Sequence, residues 1–530
     1  MGIYLNPGNH GFEEIRRDIY VDKTGLITYM NDLIGKPKPL VSFSRPRRFG
    51  KSFDANMLCA YYDKSCDSRF LFEDLEIAKQ ESFETHLNQY NVISFDVTGL
   101  VAEAKESGEN VITEIRLSLL KELREEFSDC VDPKENSLGK VLYSVVTNGH
   151  GRFVFVIDEW DALFREFKED IQLQKDYILF LRSLFKNKDL TNKTIAAAYM
   201  TGILPIKKYG TESALSDFKE FSMADPLLLS EYVGFTEDDV RKLCSEFQVD
   251  FAEMKQWYDG YSFEDTKSVY SPNSVISAIT FKRFRNYWTK TETFESLKSY
   301  IDENFDGLKD AIIMMLGGQR VKIDVSTFKN DLTSLGSRDD VLTLLIHLGY
   351  LAYDLEKEEV YIPNREVTEV FRSAAKGGKW RRVEQAIDQS EKLLEATISC
   401  DSETVAGMLE LVHEECTSVL TYNDENSLAC AIYIAYYTAK NDYMIIREFP
   451  SGKGFADYAF IPYKNTDKPA MIIELKYDKD ADTAIRQIHD NRYAGNLKDY
   501  SGELLLVGIN YDREAKGAGA KKHSCVIEQM

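Results

Sequence analysis

The sequence predicts an α/β protein built on a parallel, doubly wound sheet. Three apolar runs carry this prediction: Leu40–Phe43, Phe153–Ile157 and Thr194–Met200. Each run has the length of one strand and is almost entirely apolar, as expected of parallel strands that are covered on both faces. Segments with helical spacing of apolar residues separate the runs, and this alternation of strands and helices is typical of a doubly wound sheet.

The first run leads into a segment that has the form of a phosphate-binding loop. The segment reads Arg45-Pro46-Arg47-Arg48-Phe49-Gly50-Lys51-Ser52, and a helix is predicted from Phe53 to Tyr62. Backbone N–H groups of such a turn and the helix N-terminus would face phosphates, Lys51 would reach the β/γ oxygens and Ser52 would hold Mg²⁺. Because Arg45 replaces the first glycine of G-x-x-x-x-G-K-S/T, a chance Gly-Lys-Ser in an ordinary turn is the alternative.

The other two runs end in polar residues that suit nucleotide chemistry. Asp158 and Glu159 follow the second run, at the strand end where open α/β sheets bind ligands. We expect Asp158 to contribute to Mg²⁺ binding and Glu159 to orient or deprotonate the attacking water. Thr201 ends the third run and is expected near the γ-phosphate, with Lys207 and Lys208 as further phosphate contacts. The three strand ends together favour a P-loop NTPase sheet that binds ATP.

Composition limits the remaining possibilities. A chain of 530 residues exceeds one core, and its formal net charge of −22 disfavours non-specific coating of nucleic acid. The N-terminus has no signal-peptide pattern and no apolar run approaches membrane-spanning length, so a cytoplasmic protein without a membrane partner is expected. The eight cysteines show no paired C-x-x-C spacing and no interleaved histidines, so reduced thiols are expected and zinc is not.

The pattern of elements divides the chain into four predicted parts. Residues 1–230 form the nucleotide-binding domain, 231–375 a helical and winged-helix-like lid, 376–415 a helical linker and 416–530 a second α/β domain. In the lid, Thr236 is predicted to cap a helix with Asp239 near its third position. Trp257–Tyr261 is interpreted as a packed corner in preference to a ligand contact. The lid's β-ribbon could bind DNA, but its many acidic neighbours favour packing.

The last predicted domain carries a second group of reactive side chains. Asp457 begins one strand, and Glu474 and Lys476 lie two apart on the next, so the latter two share a face. A hairpin would bring these three residues together, with Glu425 on the preceding helix as a fourth candidate. Carboxylates and a lysine in this arrangement suit metal-assisted hydrolysis of phosphodiesters. The alternative is a solvated hairpin with ordinary surface charges, although an ion pair after an apolar strand would be costly to bury without a ligand.

Several segments together resemble one family, the bacterial AAA-ATPase-like proteins that carry a C-terminal PD-(D/E)XK nuclease domain. The resemblance covers nearly the whole chain and lies in these segments: Tyr20-Val21-Asp22-Lys23-Thr24, Arg45 to Ser52, Val156-Ile157-Asp158-Glu159, Trp257-Tyr258-Asp259-Gly260-Tyr261, Ile362-Pro363-Asn364-Arg365-Glu366, Gly454-Phe455-Ala456-Asp457, Glu474-Leu475-Lys476 and Gln487. Arg45 in place of glycine is typical of this family. Phe455 is a departure, because relatives often have arginine or another polar residue there.

The resemblance implies two sites and their cofactors. Lys51 and Ser52 would be the phosphate and Mg²⁺ residues, and Asp158 and Glu159 the Walker B pair. In a restriction-endonuclease-like α/β domain, Asp457, Glu474 and Lys476 would form the nuclease core with Mg²⁺ or Mn²⁺, and Gln487 would match a further motif. The expected function is an ATPase that controls a nuclease acting on DNA, with ATP and DNA as partners and a homo-oligomer as a possible state. The alternatives are a nucleotide-regulated binding or signalling protein whose nuclease fold is inactive, and a structural protein with two inert sites.

Overall fold

The computed structural model describes residues 2–530 apart from 38, 187, 207, 210–211, 226–228, 264, 289–297, 299, 302–304, 317–319, 331–334, 376–380, 417–424, 437–438, 440–441, 452–453, 464–467, 492–502 and 516–521. The chain forms two compact units, one of residues 1–294 and 322–367 and the other of residues 295–321 and 368–530. The predicted domain boundary near residue 230 falls within the first unit and stays a prediction, as do the other boundaries.

The first unit is built on a five-stranded sheet whose neighbouring strands are all parallel. In spatial order the strands are Asn91–Asp96, Phe153–Asp158, Ile195–Gly202, Leu40–Ser44 and Lys219–Phe221. Every residue of Leu40–Ser44 and Ile195–Gly202 is buried, which explains why these segments are apolar without alternation. The sheet confirms the predicted α/β fold, and it places the Ile195–Gly202 strand between the phosphate-loop strand and the strand of Asp158.

Helices cover this sheet and bury a core of aliphatic and aromatic side chains against it. The helices that precede residue 231 are His10–Arg16, Gly25–Leu33, Lys51–Tyr62, Arg69–Phe72, Phe83–His86, Val97–Ser107, Val111–Glu126, Leu138–Thr147, Ala162–Glu166, Ile171–Phe185 and Lys188–Thr194. A short hairpin of Lys208–Tyr209 and Glu212–Ser213 lies in the chain between the Ile195–Gly202 and Lys219–Phe221 strands of the sheet. Of the two lysines proposed as phosphate contacts, Lys207 lies outside the described residues and Lys208 is described only in its backbone.

The rest of the first unit contains the predicted lid elements. Its helices are Glu237–Phe247, Phe251–Tyr258, Pro272–Phe281 and Arg338–His347, and its strands are Phe235–Thr236, Val269–Tyr270, Ala352–Asp354 and Glu359–Tyr361. Thr236 and Asp239 form a capping box, which confirms the predicted helix start. The Arg338–His347 helix is followed by an antiparallel hairpin, so the predicted order of helix and β-ribbon is also confirmed.

The second unit contains a mixed five-stranded sheet. Its strands, in both chain and spatial order, are Tyr443–Ser451, Gly454–Pro462, Ala470–Tyr477, Leu504–Tyr511 and His523–Gln529. Only Ala470–Tyr477 and Leu504–Tyr511 are parallel, and the Ala481–Asp490 helix connects them. The other helices of this unit are Leu308–Leu316, Arg381–Ile398, Ser402–Cys416 and Glu425–Ala435, while the Val321–Lys322 strand and the Arg365–Ala375 helix contain positions where the units divide. The two final strands were not predicted.

Candidate functional site

A cleft of about 870 Å³ opens at the carboxyl ends of the parallel strands in the first unit. Its walls include most of the predicted loop together with both predicted Walker B acids. The lining residues from these segments are Arg47, Arg48, Phe49, Gly50, Lys51, Ser52, Asp158 and Glu159. The sheet therefore brings the phosphate-loop residues and the two acids to one cavity.

The loop turns into its helix through Gly50. This residue has a φ of 97°, in the left-handed region that residues other than glycine rarely adopt, and the helix begins at Lys51. The Lys51 side chain is 3% exposed, and its ammonium donates to the carbonyl oxygens of Arg45 (3.0 Å) and Pro46 (2.9 Å). It also lies 3.5 Å from Glu159 Oε1. Lys51 is thus held against the loop backbone and lines the same cavity as Asp158 and Glu159.

Arg45 and Pro46 do not belong to the lining of the cleft, although the sequence placed them in the phosphate loop. The Arg45 guanidinium is fully buried, 5.7 Å from the ring centre of Phe43 and 5.2 Å from that of Phe263. Its Nη1 donates to Ser44 O at 3.0 Å. Arg45, which stands at the position of the first glycine, therefore directs its side chain into the protein interior and packs on the side of the loop that faces away from the cleft.

Asp158 is mostly buried beside the helix N-terminus. Burial raises the pKa of its carboxyl, and hydrogen bonds from Ser52 and Thr201 oppose that rise. Thr201 is fully buried, and its hydroxyl donates to Asp158 Oδ1. Thr201 accordingly contacts Asp158 from the protein interior. It does not line the cleft, whereas the sequence predicted that it would lie near the γ-phosphate. Ser52 and Asp158 are close enough to share one ligand, which agrees with a Mg²⁺ site formed by a hydroxyl and a carboxylate.

Glu159 is surrounded by cations. It has a φ of 51°, and its backbone N–H lies between Asp158 Oδ1 (3.1 Å) and Thr201 Oγ1 (3.2 Å). Burial alone would raise the pKa of the Glu159 carboxyl, but the charges of Lys51, Arg165 and Arg47 outweigh burial and lower it. Glu159 is therefore an ionised carboxylate at the edge of the cleft, which a residue that orients or deprotonates water must be.

Sequence reasoning missed Arg165 and the opposite wall of the cleft. That wall comes from N-terminal and lid residues. Besides the acidic and polar Glu14, Asp18, Asn273 and Ser277, it includes many that are apolar or aromatic, together with Lys23: Ile15, Ile19, Tyr20, Val21, Tyr232, Phe235, Pro272 and Ile276. Lys23 joins the two groups, because its ammonium donates to Asp239 Oδ2 at 2.6 Å and to Glu231 O at 2.8 Å. The Tyr20–Thr24 segment, which the resemblance had singled out, is the signal that could have identified this wall.

The Trp257–Tyr261 segment packs on the outer side of the loop. The ring of Tyr261 lies 5.4 Å from that of Phe49 in an edge-to-face arrangement, and its hydroxyl donates to Gly349 O at 2.5 Å. Tyr258 is buried and donates to Arg285 O at 2.8 Å. These contacts are those of a packed corner, which is the interpretation that the sequence favoured.

In the second unit, Asp457, Glu474 and Lys476 lie together on neighbouring strands. The antiparallel register pairs Tyr458 with Ile473, and Asp457 Oδ2 accepts from Leu475 N at 2.7 Å. Lys476 Nζ donates to Glu474 Oε1 at 2.9 Å, and both side chains are almost completely buried. The hairpin thus gathers the three predicted residues, and the ion pair is buried where a solvated hairpin would have exposed it.

The Glu474 carboxyl is short of partners. Gln487, on the Ala481–Asp490 helix, donates to its Oε1, while Oε2 is buried and has no hydrogen-bond partner among the described residues. Burial, aided by the charge of Asp457, raises the pKa of Glu474 to about 7. A divalent cation bound by Glu474 and Asp457 would satisfy this oxygen, so the residues present fit a metal. Glu425 begins the Glu425–Ala435 helix, but its side chain is outside the described part of the structure.

A third group of ligand-type side chains lies in the first unit and is not part of the cleft lining. Asp129, Cys130 and His150 bring one donor atom each within 4.8 Å of one another, and His150 Nε2 is 3.0 Å from Asp129 Oδ2. Cys130 and His150 are separated by a helix in the sequence, so their spacing could not reveal this proximity. The sequence had argued against zinc from spacing alone, and the folded chain shows that spacing does not settle the question.

The fold and the two sites define a protein that joins an ATPase-like domain to a nuclease-like domain. Residues 7–211 match the family described as a predicted AAA-ATPase, and residues 423–518 match the PD-(D/E)XK nuclease superfamily. The chain thus combines a predicted AAA-ATPase domain with a domain of the PD-(D/E)XK nuclease superfamily, which confirms the architecture that the sequence motifs implied.

Two solved structures are among those similar to the chain. The Walker-type ATPase Paby2304 of Pyrococcus abyssi is 15% identical, with a TM-score of 0.34, and the match covers 67% of this chain and 97% of that one. PCH-2 of C. elegans is 10% identical, with a TM-score of 0.22, and the match covers 62% of this chain and 69% of that one. No curated protein matches the chain. None of the helices in the described residues has the length and apolar character needed to cross a membrane.

Proposed function

We propose that this protein binds and hydrolyses ATP in the cleft of the first unit and cleaves DNA with a Mg²⁺-dependent site in the second. The observation that carries the proposal is the group of the half-buried Asp457 with the buried Glu474 and Lys476. A carboxylate oxygen that has no hydrogen-bond partner in the described part of the chain and a buried lysine are costly in a structural hairpin and suit a catalytic one. In this proposal nucleotide binding in the residue 1–230 domain regulates cleavage by the residue 416–530 domain.

In the ATPase site, each residue has a distinct task. Lys51 would exchange the carbonyl oxygens of Arg45 and Pro46 for phosphate oxygens, which are stronger acceptors because they are charged. Ser52 and Asp158 would hold Mg²⁺, and Glu159 would orient and deprotonate the attacking water. The apolar wall with Tyr232 and Phe235 offers surface for a nucleobase.

In the nuclease site, Asp457 and Glu474 would hold Mg²⁺ or Mn²⁺, with Glu425 as a further candidate. A bound divalent ion would supply a low-pKa water and offset the negative charge that develops on the phosphate. Lys476 would orient the nucleophile and stabilise that charge, and Gln487 would keep Glu474 in place. Glu474 would give up its partly protonated state when the cation binds, because the cation replaces the missing partner of its Oε2.

Cleavage assays test the proposal. Plasmid and single-stranded DNA are incubated with Mg²⁺ or Mn²⁺, with and without ATP, for the wild type, Asp457→Ala and Lys51→Ala. We expect Asp457→Ala to lose cleavage and keep ATP turnover, and Lys51→Ala to lose ATP turnover. Turnover that persists in Lys51→Ala would refute the P-loop assignment. Cleavage that persists in Asp457→Ala would refute the nuclease site.

A nucleotide-regulated binding protein with an inactive nuclease fold is the second candidate. The observation that favours it is Phe455, which is 65% exposed and precedes Asp457 by two residues on the same strand. An exposed aromatic side chain beside the metal residues adds no attraction for a phosphate backbone, although it could stack on a base or on a partner. This candidate predicts ATP binding without metal-dependent cleavage of either DNA form.

A further inference from the structure

Arg165 is a buried cation in the first unit, and it has no role in the proposed ATPase reaction as described so far. It lies on the Ala162–Glu166 helix that follows the Asp158 strand, and its side chain is only 7% exposed. Its Nη2 donates to Glu159 Oε2, and its Nε lies 3.2 Å from Asp161 Oδ2. One guanidinium therefore connects the carboxylate at the cleft to a second carboxylate deeper in the protein.

Asp161 is the fixed end of this connection. Its side chain is 1% exposed, and its two carboxylate oxygens accept from the backbone N–H groups of Ile203 (3.1 Å) and Leu204 (3.0 Å). These residues directly follow the Ile195–Gly202 strand, so Asp161 is anchored to the central sheet. Arg165 Nε makes no hydrogen bond among the described residues, so the anchored Asp161 restrains the position of Arg165 through their buried ion pair.

Glu159 is the end that needs to be held. Its φ of 51° is a conformation that surrounding contacts must maintain. Two cations lie within ion-pair distance of its carboxylate, Lys51 and Arg165, while the charge of Arg47 acts from farther away. In the proposed reaction Lys51 turns to the phosphates, which removes one of the two. Arg165 does not have to move, because its anchor lies in the sheet and not in the ligand.

We propose that Arg165 is a positioning residue that holds the Glu159 carboxylate toward the attacking water while Lys51 binds phosphate. Arg165 acts through Glu159 and makes no required contact with the nucleotide. The inference rests on the proposed ATP hydrolysis and assigns that reaction a residue outside the Gly-Lys-Ser and Asp-Glu motifs. Loss of Arg165 would leave Glu159 free to rotate away from the water, so the chemical step would suffer and nucleotide affinity would not.

The test compares ATP turnover and nucleotide affinity of the full chain for the wild type, Arg165→Ala, Arg165→Lys and a control. We expect Arg165→Ala to lower kcat about 100-fold, at the lower end of what a positioned general base contributes, with the dissociation constant for ATP changed less than about twofold. Arg165→Lys should retain more turnover than Arg165→Ala. Added guanidinium should restore part of the turnover of Arg165→Ala, while urea at the same concentration should not.

The control is Arg241→Ala, which removes a comparable ion pair from the surface. Arg241 pairs with Glu237 four residues earlier, as Arg165 pairs with Asp161, but its side chain is 53% exposed. This variant should keep the turnover of the wild type. Should Arg165→Ala not fold, Arg165→Lys decides by the same comparison of kcat with affinity, because it keeps the buried charge.

Three outcomes would overturn the inference. Weaker ATP binding in Arg165→Ala would make Arg165 a phosphate contact, unchanged kcat would show that Glu159 is held without it, and a loss that guanidinium does not restore would indicate a structural role. Failure of the proposed function gives a different result, since ATP turnover would then be absent from the wild type or would survive in Lys51→Ala. The Arg165 variants are interpreted only against a wild type whose turnover depends on Lys51.

Discussion

Replacing Glu366 by glutamine should stabilise the protein at alkaline pH. Glu366 is 1% exposed, its Oε1 accepts from Tyr287 N at 2.6 Å and its Oε2 accepts from Ser274 Oγ at 2.8 Å. Glutamine can keep both contacts, because its oxygen accepts from Tyr287 N and the Ser274 hydroxyl can rotate to accept from its NH₂ group. The substitution therefore removes a buried charge and leaves the hydrogen bonds in place.

The magnitude follows from the pKa of Glu366. Burial, its largest cause, raises this pKa from 4.5 to about 7. A carboxyl whose pKa is raised on folding stabilises the folded state below its unfolded pKa, and that contribution is lost as the pH rises through the folded pKa. At 1.36 kcal/mol per pKa unit, the wild type should lose about 3 kcal/mol relative to Glu366→Gln between pH 4.5 and pH 8.

Thermal unfolding of both proteins between pH 5 and pH 8.5 measures this difference. The two melting temperatures should be similar at pH 5, and at pH 8 the variant should melt higher by on the order of 5 °C. Glu246→Gln, which changes an exposed carboxylate of the same unit, should follow the wild type at every pH. A difference between the wild type and Glu366→Gln that does not change with pH would refute the reasoning.

Two further substitutions test the role of Lys476 in the C-terminal site and the packing around Gly202. Lys476→Ala should abolish DNA cleavage and leave ATP turnover intact, because Lys476 Nζ is the charged partner of Glu474 at 2.9 Å. Cleavage at the wild-type rate would show that Lys476 is not part of the site. Gly202→Ala should destabilise the protein by roughly 1–3 kcal/mol, since its Cβ would lie 2.6 Å from the buried Trp160 ring, whereas Gly99→Ala meets its nearest neighbour at 3.5 Å and should be tolerated in the same melting assay.

Local patterns predicted the elements of this protein well. The Leu40–Ser44 and Phe153–Asp158 strands are found where their apolar runs lie, and Thr236 caps its helix because a hydroxyl three residues before an acid can form a capping box. The grouping of side chains on the C-terminal hairpin also followed from their alternation along a strand, which places Glu474 and Lys476 on one face.

The sequence patterns did not predict the order of the strands across the sheet or the contacts that depend on that order. The position of Ile195–Gly202 between the two site strands depends on how helices cross the sheet, and it buries Thr201 behind Asp158. Arg165 escaped notice because an arginine four residues after Asp161 looks like an ordinary surface ion pair on a helix. Its burial, which turns that pair into a link between the sheet and Glu159, arises only from tertiary packing.

Arg45 shows how the predicted phosphate loop can lack its first glycine. The backbone N–H of Arg45 donates to Gly202 O at 3.0 Å, so the chain still follows the sheet at this position. From there the side chain approaches the rings of Phe43 and Phe263 and does not line the cleft. Burial lowers the pKa of Arg45 to about 10, which leaves the guanidinium charged at neutral pH. Two aromatic faces then stabilise a cation whose Nε and Nη2 have no hydrogen-bond partner among the described residues, and the loop gains a support that glycine could not provide.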